Sequence, residues 1–156
     1  MPKTRDEVCQ LMDKLLLHSL ELMEQEVKLK TTIETVTNDG QLDLAHTRFT
    51  KGPQSVSAVQ LPTEDYRDFS ALNSLTEDRD ELGNAQLSLD QHPVDKEAGY
   101  IDPIRWFGIL IPATLQSART KFGRALEYVV ECGNVQIQLR NALLSYGTLR
   151  KLKAEL

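Results

Sequence analysis

Histidine is the residue type in this sequence best suited to acid–base catalysis or metal binding. His18, His46 and His92 are widely spaced. The sequence contains no HExxH, CxxC, glycine-rich phosphate loop or nucleophile elbow that would place ligands or a general base in a known geometry. We therefore predict that the protein is not an enzyme and has no catalytic residue, no metal site and no cofactor.

Three glutamates are the other candidates for acid–base chemistry. Glu21, Glu24 and Glu26 lie within six residues of one another, but a carboxyl group needs a concave apolar pocket for its pKa to be raised. A narrow pair of long helices, which the rest of the sequence predicts, offers no such pocket. We interpret these carboxylates as part of a solvated helix face.

The two cysteines indicate a reducing cellular compartment. Cys9 and Cys132 are too few for a disulfide framework, and neither an Asn-x-Ser/Thr sequon nor a cleavable signal peptide accompanies them. We expect two free thiols in a cytosolic, reducing location. No apolar run approaches the ~20 residues of a membrane span, so we predict no direct membrane span.

Charge is unevenly distributed along the chain. Residues 1–62 carry seven basic and nine acidic side chains, residues 63–102 carry three and eleven, and residues 103–156 carry eight and three. The basic side chains of the last segment are spread out, without the surface aromatics that usually accompany nucleic-acid binding. We interpret this segment as a solvated basic helix and predict no nucleic-acid partner.

A first long helix is predicted over 5–51. Thr4 and Glu7 have the spacing of a capping box, and Gly52-Pro53 ends the pattern. Between these signals an apolar seam recurs every seven residues, with polar interruptions. Its apolar members are Val8, Met12, Leu15, Leu22, Leu29, Ile33 and Val36.

A second long helix is predicted over 112–154. Pro112 suits the first helical position because its φ is fixed and it lacks an N–H. The seam that follows has steps of three and four residues and a single polar member, Gln136. Its members are Leu115, Ala118, Phe122, Ala125, Val129, Cys132, Gln136, Leu139, Leu143 and Tyr146.

These patterns predict a mainly α fold in which the two helices form an antiparallel coiled-coil hairpin. We expect a single domain over 1–156, since each long stripe must be buried against a partner of similar length. The loop over 52–111 is predicted to be flexible mainly over 76–99, where acidic, amide and small residues dominate. A short β element is allowed at the hairpin tip, around Ser55–Leu61, and a short helix could open at Thr63.

The segment 102–112 stands out because apolar residues are concentrated there. Trp106, Phe107, Ile109 and Ile111 could fold back to cap the hairpin, pairing as a strand with the segment around 56–61. Alternatively, Trp106 and Phe107 could dock on a partner, as large aromatic side chains do at interfaces. Both interpretations can hold for different faces of the segment.

Two motifs, one at each end of the predicted loop, resemble the coiled-coil-domain-containing assembly factors of the V-type proton ATPase (V-ATPase). The downstream motif precedes the long basic helix, and the upstream motif lies at the end of the first helix. The downstream residues are Asp102, Pro103, Ile104, Trp106, Phe107, Gly108, Ile109, Leu110, Ile111, Pro112 and Leu115. The upstream residues are Gly40, Leu42, Leu44, Ala45, Arg48, Phe49, Gly52, Ser55 and Val56.

This resemblance implies a non-enzymatic assembly chaperone for the membrane-embedded sector of the proton pump. The implied partners are a membrane-anchored assembly factor of the endoplasmic reticulum and V-ATPase membrane-sector subunits. The implied location is the cytosolic face of that membrane, with endosomal or lysosomal membranes as a further site. The positions carried over as partner-binding or hairpin-tip residues are Arg48, Phe49, Trp106, Phe107, Ile109, Leu110 and Pro112.

Two other functions remain open from the sequence. A prefoldin-like chaperone subunit also has a helix, short strands and a second helix, although its loop should carry clear alternating strands. A dimeric coiled-coil tether would instead pair its stripes between molecules, and its oligomeric state would depend on concentration.

Overall fold

The computed structural model describes residues 4–81 and 83–155, and two long helices account for most of them. Helix α1 spans Arg5–Lys51 and α2 spans Ala113–Glu155. Between them lie β1 (Asn73–Arg79) and β2 (Ala85–Gln91), which pair as a two-stranded antiparallel sheet. Short 3-10 helices at Ala58–Gln60 and Pro103–Phe107 complete the described elements.

The mainly α prediction agrees with this structure, but the predicted coiled-coil hairpin is wrong. The fold is two helices plus a two-stranded sheet. The chain divides into two compact units. The first consists of Met1–Thr31, Glu77–Leu87 and Val129–Leu156, and the second of Thr32–Thr76 and Ser88–Tyr128.

Local capping chemistry sets the ends of α1. The Thr4 hydroxyl accepts a hydrogen bond from the Glu7 backbone N–H, and the Glu7 carboxylate accepts one from the Thr4 N–H, both at 3.3 Å. This reciprocal pair satisfies two backbone donors that the first helical turn leaves free. At the other end Gly52 has φ +97°, a conformation that glycine adopts without strain.

In the first unit, segments of α1 and α2 lie side by side. Gln136 Nε2 of α2 donates to Glu26 Oε1 of α1 at 2.9 Å. The α1 seam carries one buried polar residue, Ser19, whose hydroxyl donates to the Leu15 carbonyl at 2.7 Å. The buried apolar residues of this unit are Val8, Met12, Leu22, Leu29, Cys132, Val135 and Ala142.

The sheet covers another face of α2 in this unit. The Asn134 side chain accepts from the Leu87 backbone N–H at 2.8 Å and donates to the Leu87 carbonyl at 2.9 Å. Asn141 Nδ2 donates to Asn84 Oδ1 at 2.9 Å. The absence of a side chain at Gly133 makes room for Leu87, since a Cβ there would lie 3.1 Å from Leu87 Cδ1.

These contacts explain why the coiled-coil hairpin prediction failed. Helix α2 packs on two faces, and its buried residues follow the predicted stripe only in part, since Leu115, Ala118, Ala125 and Cys132 belong to it. Val129 and Leu143, which were assigned to that stripe, are 48% and 44% exposed, whereas Val135, which was not, is buried.

The prediction of a flexible acidic loop over 76–99 is also wrong, because much of this segment forms β1 and β2. Polar side chains pair across the strands: Thr76 Oγ1 donates to Asp90 Oδ2 at 3.0 Å, and Ser74 Oγ lies 3.0 Å from His92 Nε2. A sheet with one solvated face needs few apolar residues, so the polar composition did not prevent folding.

Two local predictions within 52–75 are wrong as well. The segment around Ser55–Leu61 is not a strand, because its centre is the 3-10 helix Ala58–Gln60, capped by the Ser57 side chain. No helix opens at Thr63, and Leu75 lies in β1. Since 103–107 is also a 3-10 helix, the expected strand pairing between this segment and 56–61 does not form.

Candidate interaction site

In the second unit, a pair of threonines joins the last turns of α1 to the first turn of α2. Thr47 is fully buried, and its hydroxyl donates to the Asp43 carbonyl at 2.8 Å. Thr47 Oγ1 also lies 2.6 Å from Thr114 Oγ1. Because the single Thr47 hydroxyl proton is already used, Thr114 is the donor in this bond.

An ion pair lies next to the threonines. Lys121 Nζ of α2 is 2.8 Å from Asp43 Oδ2 of α1. The Lys121 ammonium, followed by the Ser117 hydroxyl, holds the pKa of the Asp43 carboxyl below its usual value. The Thr47–Thr114 and Asp43–Lys121 contacts therefore bring the C-terminal end of α1 beside the N-terminal end of α2. Residues 48–52 lie at the end of α1, and the segment 102–112 leads into α2.

Asp102 organises the segment before α2. Its Oδ1 accepts from the Ile104 backbone N–H at 3.2 Å, and Pro103 occupies the first turn of the 3-10 helix. The other carboxylate oxygen, Oδ2, lies 3.1 Å from Arg119 Nη2 of α2. Asp102 thus caps the short helix and attaches it to α2, while Ile104 is buried.

Trp106 packs inside this unit. Its ring meets Phe69 edge to face with centroids 5.2 Å apart, and Phe69 in turn meets Tyr66 at 6.2 Å. The buried indole N–H has no hydrogen-bond partner among the residues that the structure describes. Phe107, the residue after Trp106, is half-buried.

The next residues are exposed. Gly108, with φ +130°, ends the 3-10 helix, and the side chains of Ile109 and Leu110 are then 88% and 92% exposed. Phe49, on the last turn of α1, is 88% exposed. We call Phe49, Ile109 and Leu110 the apolar end. Phe49 lies two residues from Thr47 and Leu110 lies four residues from Thr114. The contact between these threonines therefore places the three side chains at one end of the unit.

The structure brings the predicted site residues to this end but divides them into two groups. Trp106, Phe107 and Pro112 are half-buried, and Pro112 also supplies the carbonyl that accepts from the Leu115 and Gln116 N–H groups at 3.1 Å. The exposed group consists of Arg48, Phe49, Ile109 and Leu110.

Two further residues of this unit were not predicted as site residues from the sequence. Val59 is 88% exposed on the 3-10 helix Ala58–Gln60. The sequence carried a signal for this short helix, because Ser57 and Gln60 have the spacing of a capping box. The structure forms that box. Phe69, the ring partner of Trp106, carried no such signal, because its contact joins positions far apart in the sequence.

Metal ligands and thiols are the other groups that were considered for chemistry. Among the described residues, no group of three or more His, Cys, Asp or Glu side chains could hold a metal ion. Cys9 is half-buried and Cys132 is buried, and both are free thiols. Within residues 4–81 and 83–155, no helix is both long and apolar enough to cross a membrane.

Comparison with known proteins gives a consistent set of relatives. No family model matches the chain. It is 24% identical over 147 residues to the vacuolar ATPase assembly protein VMA22 of Homo sapiens, covering 80% of this chain and 81% of the relative. The Mus musculus protein of the same name is 24% identical over 157 residues, covering 87% of each chain, and the Bos taurus protein is 23% identical over 148 residues, covering 81% and 82%. These relatives confirm the resemblance of the chain to the family of V-ATPase assembly factors.

Proposed function

We propose that the protein is a non-enzymatic assembly chaperone for the membrane-embedded sector of the vacuolar-type proton ATPase. It acts at the cytosolic face of the endoplasmic reticulum, where a membrane-anchored assembly factor positions it. The observation that carries the proposal is the likeness, over four fifths or more of the chain, to three proteins named for vacuolar ATPase assembly.

The apolar end supports this proposal because its exposure is difficult to explain by folding alone. Ile109 and Leu110 are adjacent, and neither contributes to a core. Apolar groups that are held in water by an ordered backbone are typical of binding surfaces. In this proposal Arg48, Phe49, Ile109 and Leu110 contact the partner, and Trp106, Phe107 and Pro112 hold the segment in place.

The test is affinity purification of the tagged protein from gently solubilised membranes, followed by mass spectrometry. Recovery of proton-pump membrane-sector subunits together with a small membrane protein is the expected result. Recovery of neither, with the tagged protein folded and abundant, would contradict the proposal.

A pair of variants makes this test specific to the apolar end. Leu110→Ser replaces an exposed leucine in the segment before α2, and Leu42→Ser replaces a leucine of α1 that is 67% exposed. Both should leave the melting temperature unchanged because both side chains are already in water. Leu110→Ser should lower partner recovery at least fivefold, whereas Leu42→Ser should not.

A prefoldin-like chaperone subunit is a second candidate, favoured by β1 and β2 between the two helices. Such a subunit would bind unfolded chains within a multi-subunit body. Co-purification with prefoldin-type subunits instead of pump subunits would select this function.

A further inference from the structure

In the first unit, α1 carries apolar residues on two faces. One face is the buried seam that contains Val8, Leu22 and Leu29. The second is a stripe one residue further along, which remains in water. Its members are Leu16, Leu20, Met23 and Val27, which are 42%, 59%, 40% and 63% exposed.

The spacing within this exposed stripe is that of a helix–helix seam. Successive members are four, three and four residues apart, and this alternation keeps side chains on one side of a helix so that they can meet a second helix. The stripe extends over about three turns, so the surface is long enough to align a second helix along it.

The stripe also has the same pattern when read from either end. Asp13 lies three residues before Leu16, and Lys30 lies three residues after Val27. An antiparallel second copy therefore aligns Leu16 with Val27 of that copy, and Leu20 with Met23 of that copy. At both ends Asp13 of one chain meets Lys30 of the other.

The charged residues at the two ends of the stripe favour the antiparallel pair over a parallel pair. In a parallel pair, Asp13 would face Asp13 and Lys30 would face Lys30, which is unfavourable. In the antiparallel pair each end joins opposite charges. The Lys30 side chain is 60% exposed while it pairs with Glu26 at 2.6 Å, so its ammonium can contact a second carboxylate.

We propose that the protein forms a two-fold symmetric dimer in which the α1 stripes of two copies, Leu16, Leu20, Met23 and Val27, pack antiparallel. The occupant of the stripe is a second copy of this chain, because the stripe is complementary to itself in both spacing and charge. The contact area is small for a protein interface, and we expect a dissociation constant in the micromolar range.

Sedimentation velocity of the purified chain tests the dimer, over concentrations from about 1 μM to about 300 μM. The wild type should shift from monomer to dimer across this range. Leu20→Glu, which buries two carboxylates at the centre of the contact, should weaken dimerisation at least tenfold. Leu144→Glu is the control, since Leu144 is 63% exposed on α2 and lies outside the stripe, and it should dimerise like the wild type.

Charge reversal tests the antiparallel register. Asp13→Lys and Lys30→Asp should each weaken the dimer, and the double variant should restore it because both end pairs are rebuilt with exchanged signs. Circular dichroism of each variant shows whether the helices persist, as expected for substitutions of exposed residues.

Three results would overturn the dimer: a monomer across the whole range, a dimer that Leu20→Glu leaves unchanged, or a double reversal as weak as the single ones. The assembly role does not depend on this contact. Loss of self-association in Leu20→Glu with full recovery of pump subunits is therefore compatible with both proposals.

Discussion

The segment 84–87 and the segment 109–110 contrast sharply in composition and burial. The first belongs to an acidic stretch of the chain, yet it is ordered against α2 by the Asn134 and Asn141 side chains. The second belongs to the most apolar stretch, yet Ile109 and Leu110 are exposed. Composition over a window therefore does not decide burial. A few amide hydrogen bonds dock a polar segment on α2, whereas the apolar side chains that follow the turn at Gly108 remain exposed.

The largest stability effect should come from removing the aromatic contact that fixes the apolar segment. Trp106→Ala deletes the ring that meets Phe69, and such a truncation costs about 3 kcal/mol. Urea unfolding followed by circular dichroism measures the change. Trp106→Phe, which keeps an aromatic ring, should cost less than half as much; equal losses would show that the ring contact is not what stabilises the segment.

Asn134→Leu should have the next largest effect, because it removes both hydrogen bonds to Leu87 and leaves that backbone pair unsatisfied at the sheet–helix contact. We expect a loss of about 2 kcal/mol in the free energy of unfolding, with faster amide exchange in β2. Gln138→Leu, on an exposed part of the same helix, is the control. An unchanged amide exchange rate at Leu87 in Asn134→Leu would contradict the claim that Asn134 docks β2 on α2.

Gly40→Ala should destabilise the second unit although alanine favours helices by about 1 kcal/mol. A Cβ at Gly40 would lie 3.0 to 3.2 Å from three atoms of the Phe122 ring, and overpacking of this kind costs about 1–3 kcal/mol. We expect a net loss on the order of 1 kcal/mol. Gly123→Ala has open space around its new Cβ and should be neutral or stabilising in the same thermal melts.

The Asp43–Lys121 ion pair should give a small pH-dependent effect. Because Lys121 lowers the pKa of Asp43, the pair stabilises the fold at pH values above the ordinary carboxyl pKa. This stabilisation disappears as the pH falls through the lower, folded-state pKa. Lys121→Met should therefore reduce stability at neutral pH and leave a smaller difference from the wild type in acid. A constant difference across the titration would contradict the pair's contribution.

Sequence reasoning reached the two long helices because their signals are local. The Thr4 and Glu7 caps, Gly52 and Pro112 act on their immediate neighbours, and the helices lie at Arg5–Lys51 and Ala113–Glu155. The sheet and its docking on α2 were missed because they depend on pairs such as Asn134 with Leu87, which are 47 residues apart. At the site, the apolar segment was recognised from its composition. The division between half-buried Trp106 and exposed Leu110 instead requires Phe69 and the turn at Gly108 in three dimensions.

The most direct measurement is the amount of assembled proton-pump membrane sector, resolved by native electrophoresis, in cells that lack this protein. We expect the assembled sector to fall markedly in these cells, the wild-type chain and Leu42→Ser to restore it, and folded Leu110→Ser not to restore it. An unchanged level of assembled pump in cells without the protein would contradict the assembly role itself.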